Sequence, residues 1–212
     1  RYQALSVIVA SGASAKRLGV PGEERLSGRG VSYCAICDGL FFRDKRVAVV
    51  GGGDSAIEEA LFLTRFASKV YIVHRRNALR AVKVLQEKAL SNEKIEIIWD
   101  SVVDEILGES RVSGLKIREL IKNTSSKVDC EGLFVSIGNT PNTGFMKNIA
   151  VLDKDGYIKT DKELNSSKIG IFACGDCRDT SLKQIVTACG DGALAGVSCQ
   201  RYVDAIKENK KN

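Results

Sequence analysis

The chain has 212 residues, 44% of them hydrophobic and 27% charged, enough for one large or two small domains with real cores. No apolar run approaches the ~18 residues of a membrane span, and no basic segment leads into a short apolar core near residue 1, so neither a membrane segment nor a secretory signal is expected. The net charge is +6, but aromatics are only 6% and much of the basic excess sits in Lys207–Asn212 and in His74-Arg75-Arg76, which argues against a nucleic-acid face and for a small anionic ligand.

In chain order, Ala4–Ala10 reads as a buried strand broken at Ser11-Gly12, and Gly19–Gly30 as loop. Arg46–Val50 is a β-branched strand running into Gly51-Gly52-Gly53. Ser55 and Glu58 make a capping box, which predicts a helix to about Phe66. Lys69–Val73 reads as strand and Ala78–Leu90 as helix. Ile95–Trp99, Val102–Leu107 and Leu115–Leu120 read as short strands, and Leu133–Ile137 as a buried strand stopped by Gly138. Strand, helix and strand in that order predict a right-handed βαβ unit in an α/β domain. Gly138–Gly144 is the expected linker. Strands at Gly156–Lys159 and Ile169–Ala173 and a long helix over Gln184–Ile206 complete the reading.

Three motifs carry chemistry. Gly51-Gly52-Gly53-Asp54-Ser55-Ala56 matches Gly-x-Gly-x-x-Ala between a strand and a helix. Gly51 permits the turn, Gly53 lets a pyrophosphate approach the backbone, and Ala56 allows close helix–strand packing. An NAD site usually has a carboxylate roughly 20 residues on, for the ribose 2′-hydroxyl. Here that place holds His74, Arg75 and Arg76, with Arg80 following, which suits a 2′-phosphate and so NADP. His74 reads as part of this pocket and not as a catalytic base. The third motif, Cys34-Ala35-Ile36-Cys37, has the spacing of a small, readily reduced disulfide ring. A zinc reading needs a second ligand pair nearby, and Cys174-Gly175-Asp176-Cys177 lies far down the chain, so redox chemistry is favoured and no metal is expected. Seven cysteines is an odd count for a secreted framework, which makes the reducing cytoplasm the expected compartment. Cys174 and Cys177 read as buried small residues, with a second redox couple as the less favoured alternative, and Cys130, Cys189 and Cys199 read as packing residues.

The segment Gly30–Gly39, with its two cysteines, resembles the redox-active region of the low-molecular-weight, bacterial-type thioredoxin reductases. So do Arg46–Glu59 and the His74-Arg75-Arg76…Arg80 cluster. Gly170–Asp176 is similar to that family's second flavin motif, and Lys183-Gln184-Ile185 to its segment beside the isoalloxazine ring. The similarity covers essentially all 212 residues, and it is to an N-terminally truncated member: the family's flavin-phosphate loop, Gly-x-Gly-x-x-Gly, has no counterpart here.

The resemblance implies a Rossmann-like, three-layer NADPH domain (residues 16–143) inserted in a partial FAD domain (residues 1–15 and 144–212). It implies electron flow from NADPH through FAD and a Cys34–Cys37 disulfide to thioredoxin, in a homodimer. Cys37 would receive electrons from the flavin, Cys34 would attack thioredoxin, and Asp38 would shuttle a proton. The implied NADP set is Gly51, Gly53, Asp54, Ser55, Ala56, Glu58, His74, Arg75, Arg76, Arg80 and Gly138. The implied FAD set is Ser11, Gly12, Asp176, Lys183, Gln184 and Ile185. Two alternatives stay open: the flavoprotein component of an alkyl hydroperoxide reductase, against which Arg75 and Arg76 argue, and a flavin-free module binding NADP(H), against which the Cys34–Cys37 pair argues.

Overall fold

The computed structural model describes residues 2–209; residue 1 and residues 210–212, which include part of the basic tail, lie outside the described residues. The chain forms two compact units, residues 15–138 and a second made of residues 1–14 and 139–212. In chain order the elements are strands β1 (Val7–Val9), β2 (Ala13–Ala15) and β3 (Val31–Ser32), helix α1 (Ala35–Asp38), β4 (Arg46–Val50), α2 (Asp54–Leu63), β5 (Lys69–Val73), α3 (Lys83–Leu90) and β6 (Ile95–Ile98). Then come β7 (Ser101–Leu107), β8 (Gly114–Glu119), β9 (Thr124–Val128), β10 (Gly132–Val135), β11 (Asn139–Pro141), β12 (Ile171–Ala173) and α4 (Ile185–Asn209). Among the described residues, no helix is long and apolar enough to cross a membrane.

The unit at 15–138 is an α/β, Rossmann-like domain whose five-stranded sheet runs β3-β10-β4-β5-β6, parallel throughout. Alternate residues of each strand feed opposite faces. Val47, Val49, Val70, Ile72 and Phe134 pack with Ile57, Ala60 and Leu63 of α2 on one side. On the other, Ala48, Val73, Leu133 and Val135 pack with Val103, Ile106, Leu115 and Ile117 of the antiparallel sheet β7-β8-β9. Ile57 and Leu63 are fully buried, each stabilising the fold by about 1.5–3 kcal/mol. Burial on both faces is what makes β4 and β5 read as continuous apolar runs.

In the other unit β1 and β12 pair in parallel, Val9 beside Ala173, over a core of Val9, Met146, Ile158, Ala173 and Cys177. Two further strands, β2 and β11, pair with each other where the chain passes between units.

The structure departs from the sequence expectations at several points. No capping box forms, because α2 starts two residues early: its cap is Gly53, without a side-chain bond, and Ser55 falls inside the first turn. That helix ends at Leu63, and turns carry the chain to Phe66. Helix α3 starts at Lys83, not Ala78. The Arg80 and Ala81 amides both donate to the Gly52 carbonyl (2.7 and 3.2 Å), and the Val82 amide donates to the Asp54 carboxylate (2.8 Å), which pins residues 80–82 outside a helix. Residues 156–159 form no continuous strand, since Ile158 makes only single bridges to Leu152 and Arg178. The expected linker contains β11, and the polar edge strand β9, Thr-Ser-Ser-Lys-Val, had no apolar alternation to announce it.

Candidate functional site

Strand β3 delivers the chain to the two cysteines. Cys34 caps α1, its sulfur accepting from the Cys37 amide at 3.2 Å, and the two residues are joined as a disulfide with Cα atoms 5.3 Å apart. The buried Ser32 organises this turn: its hydroxyl accepts from the Cys34 amide (3.1 Å) and donates to an Asp38 carboxylate oxygen (2.6 Å). Ser32 was not singled out from sequence. The signal was a hydroxyl two residues before an amide in need of an acceptor, an ST-turn arrangement. Around the disulfide, Ile36, Leu40 and Phe41 are exposed, Phe41 by 73%.

Strands β4 and β5 end at a cleft of about 540 Å³ lined by Gly51, Gly52, His74, Arg75, Arg76 and Arg80, and also by Lys16, Arg17 and Ser136. A methyl on Gly51 would collide with the Ser136 carbonyl and Ala56, and one on Gly52 with the His74 imidazole, so both positions require glycine by close approach. His74 is 5% exposed. One ring nitrogen, Nδ1, faces the Gly51 carbonyl and the other, Nε2, the Ala78 carbonyl, each at 3.0 Å, so the ring ties the glycine loop to the basic loop. Arg75, Arg76 and Arg80 are exposed.

The remaining expected residues are placed differently. Gly53 caps α2, Ala56 is buried under Gly51, and Ser55 and Glu58 lie exposed on α2. Asp54 is engaged by Val82, and Gly138 bonds the Lys16 amide through its carbonyl at 3.0 Å.

Lys16 and Arg17 also escaped the sequence reading. Their loop is fastened by Glu23, 3% exposed, whose carboxylate accepts from the Leu18 and Gly19 amides (2.9 and 2.7 Å) and from the Tyr33 hydroxyl (2.9 Å). Burial and this carboxylate push the Tyr33 phenol up to about 12.

In the other unit, the ends of β1 and β12 lead side by side into Ser11-Gly12 and into the turn Gly175–Cys177, bringing Ser11 and Asp176 to one strand-end edge. The Ser11 hydroxyl oxygen is buried with no hydrogen-bond partner. Arg178 and Asp191 form a paired ion bridge (2.6 and 2.9 Å), and Asp191 also accepts from the Gly175 amide (3.1 Å), which braces that turn. Asp191 is held below the usual carboxylate range, chiefly by its bond with Arg178.

Lys183 lies over the Tyr157 ring at 4.2 Å, the Gln184 amide donates to the Thr187 hydroxyl (3.2 Å), and Ile185 opens α4 with 85% exposure. Cys174, Cys177 and Cys130 are buried thiols, and burial pushes Cys130 up to about 12. Cys189 is exposed and Cys199 half-buried, so neither is the core residue expected.

The family model for pyridine nucleotide-disulphide oxidoreductases matches residues 1–192. The chain belongs to that family. Within this pyridine nucleotide-disulphide oxidoreductase family it is 50% identical to the thioredoxin reductase of Listeria monocytogenes over 209 residues, covering 98% of this chain and 66% of that protein. It is 48% identical to the thioredoxin reductase of Bacillus subtilis, covering 99% and 67%. Its structure is similar to that of the thioredoxin reductase of Streptococcus pyogenes, with a TM-score of 0.90 and 50% identity, covering 94% of this chain and 66% of that one. The chain thus spans about two thirds of the length of the family members it matches.

Proposed function

We propose that this chain carries the NADPH-binding and redox-disulfide machinery of a thioredoxin-disulfide reductase, with residues 16–143 as the nucleotide domain and residues 1–15 and 144–212 as parts of a flavin domain. The observation that carries the reading is the Cys34–Cys37 disulfide, placed in the same compact unit as a glycine-loop cleft ringed by five cations. The cleft fits NADPH: at Gly53, where a side chain would meet only the Arg80 guanidinium at 3.9 Å, the backbone is open to a pyrophosphate, and Arg75, Arg76 and Arg80 offer guanidinium groups to a 2′-phosphate. The strand-end edge of the other unit fits FAD, since the orphaned Ser11 hydroxyl needs a polar partner and Asp176 lies in the turn that follows the neighbouring strand.

When bound, NADPH and FAD together supply the electron pair that reduces the disulfide. Cys34 and Cys37 accept two electrons and two protons as the S–S bond breaks. The Cys34 thiolate then attacks a thioredoxin disulfide, Cys37 displaces it, and the pair re-forms its own bond as thioredoxin leaves reduced. Asp38, oriented by Ser32, holds the proton that accompanies the exchange. Exposed Ile36, Leu40 and Phe41 give the protein substrate an apolar surface beside the reacting sulfurs. The setting is the reducing cytoplasm and the assembly a homodimer.

The test is a half-reaction that needs no flavin. The chain, reduced with dithiothreitol and desalted, is mixed with oxidised thioredoxin, and thiols on both proteins are counted by alkylation and mass spectrometry. One thiol pair should pass from Cys34 and Cys37 to thioredoxin. No transfer from a demonstrably reduced pair would sink the reading.

A further inference from the structure

Lys16 belongs to neither candidate cofactor set, yet it lines the glycine-loop cleft. Its amide donates to the Gly138 carbonyl at 3.0 Å, and its ammonium stands 3.9 Å from where a methyl on Gly138 would lie. Gly138 follows the end of β10, the neighbour of β4 on the side away from β5. The arginines of the cleft belong to the opposite flank, Arg75 and Arg76 following the end of β5 and Arg80 lying just beyond. Strands β10 and β5 are two strand spacings apart, about 10 Å. The cleft lining contains no carboxylate, and among the described residues Lys16 makes no ion pair.

We propose that Lys16 is a specificity-determining residue that distinguishes the reduced from the oxidised nicotinamide, its ammonium favouring the neutral ring of NADPH over the cationic ring of NADP+. This rests on the NADPH reading above. In a doubly wound sheet a dinucleotide crosses the crevice where the strand order reverses. Here the chain winds outward from β4 through β5 to β6 while β10 lies on the other side of β4, so the crevice falls between β4 and β10. With the 2′-phosphate on the arginines after β5 and the pyrophosphate at the Gly53 backbone, the nicotinamide end is left to the β10 side, beside Lys16. Transfer of a hydride, a proton with two electrons, to the flavin turns the neutral dihydropyridine ring into a pyridinium and raises its charge by one. A like charge held at that end, in a lining without carboxylates, disfavours the oxidised form and not the reduced one. Lys16 thus promotes capture of the reduced nucleotide and release of the oxidised one, and the main-chain bond to Gly138 fixes the root of its side chain.

The 212-residue chain is titrated with NADPH, followed by the nucleotide's own fluorescence, and NADP+ is measured by its displacement of NADPH. The observable is the ratio of the two dissociation constants, in which contributions from the shared phosphates cancel. Lys16→Gln should lower the preference for NADPH by about threefold or more, and Lys16→Arg, which keeps the charge, should retain it. Arg76→Gln, at the opposite end of the cleft, should weaken both nucleotides while leaving the ratio within about twofold of wild type. An unchanged ratio in Lys16→Gln, whether both nucleotides bind as before or weaken together, would overturn the proposal. So would an equal fall of the ratio in Lys16→Arg or in Arg76→Gln. Failure of the wild-type chain to bind either nucleotide would instead overturn the NADPH reading, a separate result.

Discussion

The Ser32 hydroxyl stands between the Asp38 carboxylate (2.6 Å) and the Cys34 amide (3.1 Å), donating to the first and accepting from the second. One hydroxyl therefore fixes both the Asp38 carboxylate and the backbone of the disulfide turn. Ser32→Ala leaves an amide and a carboxylate short of a partner, at about 1–3 kcal/mol. Urea unfolding should show that loss, and thiol transfer to thioredoxin should slow. An unchanged rate and midpoint would show that Asp38 needs no such support.

Charge reversal at the basic loop separates the two nicotinamide nucleotides. Arg75→Glu combined with Arg76→Glu turns attraction for the 2′-phosphate into repulsion. Tenfold or greater weakening of NADPH is expected, at about 1.4 kcal/mol per tenfold, with NADH little changed. Fluorescence titration of the chain with each nucleotide decides it; equal losses would remove the arginines from the phosphate site.

His74→Ala should behave differently. The ring bridges the Gly51 and Ala78 carbonyls from a buried position, so its removal loosens both loops at once. NADPH and NADH binding should weaken together, their ratio changing by less than about threefold against the tenfold or more of the arginine pair. A loss confined to NADPH would make His74 a phosphate ligand instead.

Stability should depend on pH through Glu59. The ordinary carboxyl value of 4.5 rises to about 7 in the folded protein, so between these values the folded state holds a proton that the unfolded state has released. The contribution of this group is therefore greatest below pH 4.5 and falls as pH rises to about 7, by about 3 kcal/mol at most. Thermal or urea unfolding of Glu59→Gln against wild type should show the variant gaining relative stability over that window. A constant difference from pH 4 to 8 would contradict the assignment.

Much of the nucleotide half was legible because its signals are local. The β-branched runs of β4 and β5 are buried on both sheet faces, and the three glycines follow where β4 must turn into α2. What escaped depends on partners distant in sequence. Lys16 and Arg17 reach the cleft only because Glu23 fastens their loop, and α3 starts late only because Gly52 and Asp54 capture the amides of residues 80–82.

Glu23 has a reach disproportionate to its size. One carboxylate secures the segment that brings Lys16 and Arg17 to the glycine-loop cleft and, through the Tyr33 hydroxyl, the residue just ahead of Cys34. Two chemistries that share no substrate thus stand on a common footing. An inherited lesion at this position would present as a double defect in nucleotide affinity and thiol exchange, though Glu23 belongs to neither set of reacting groups.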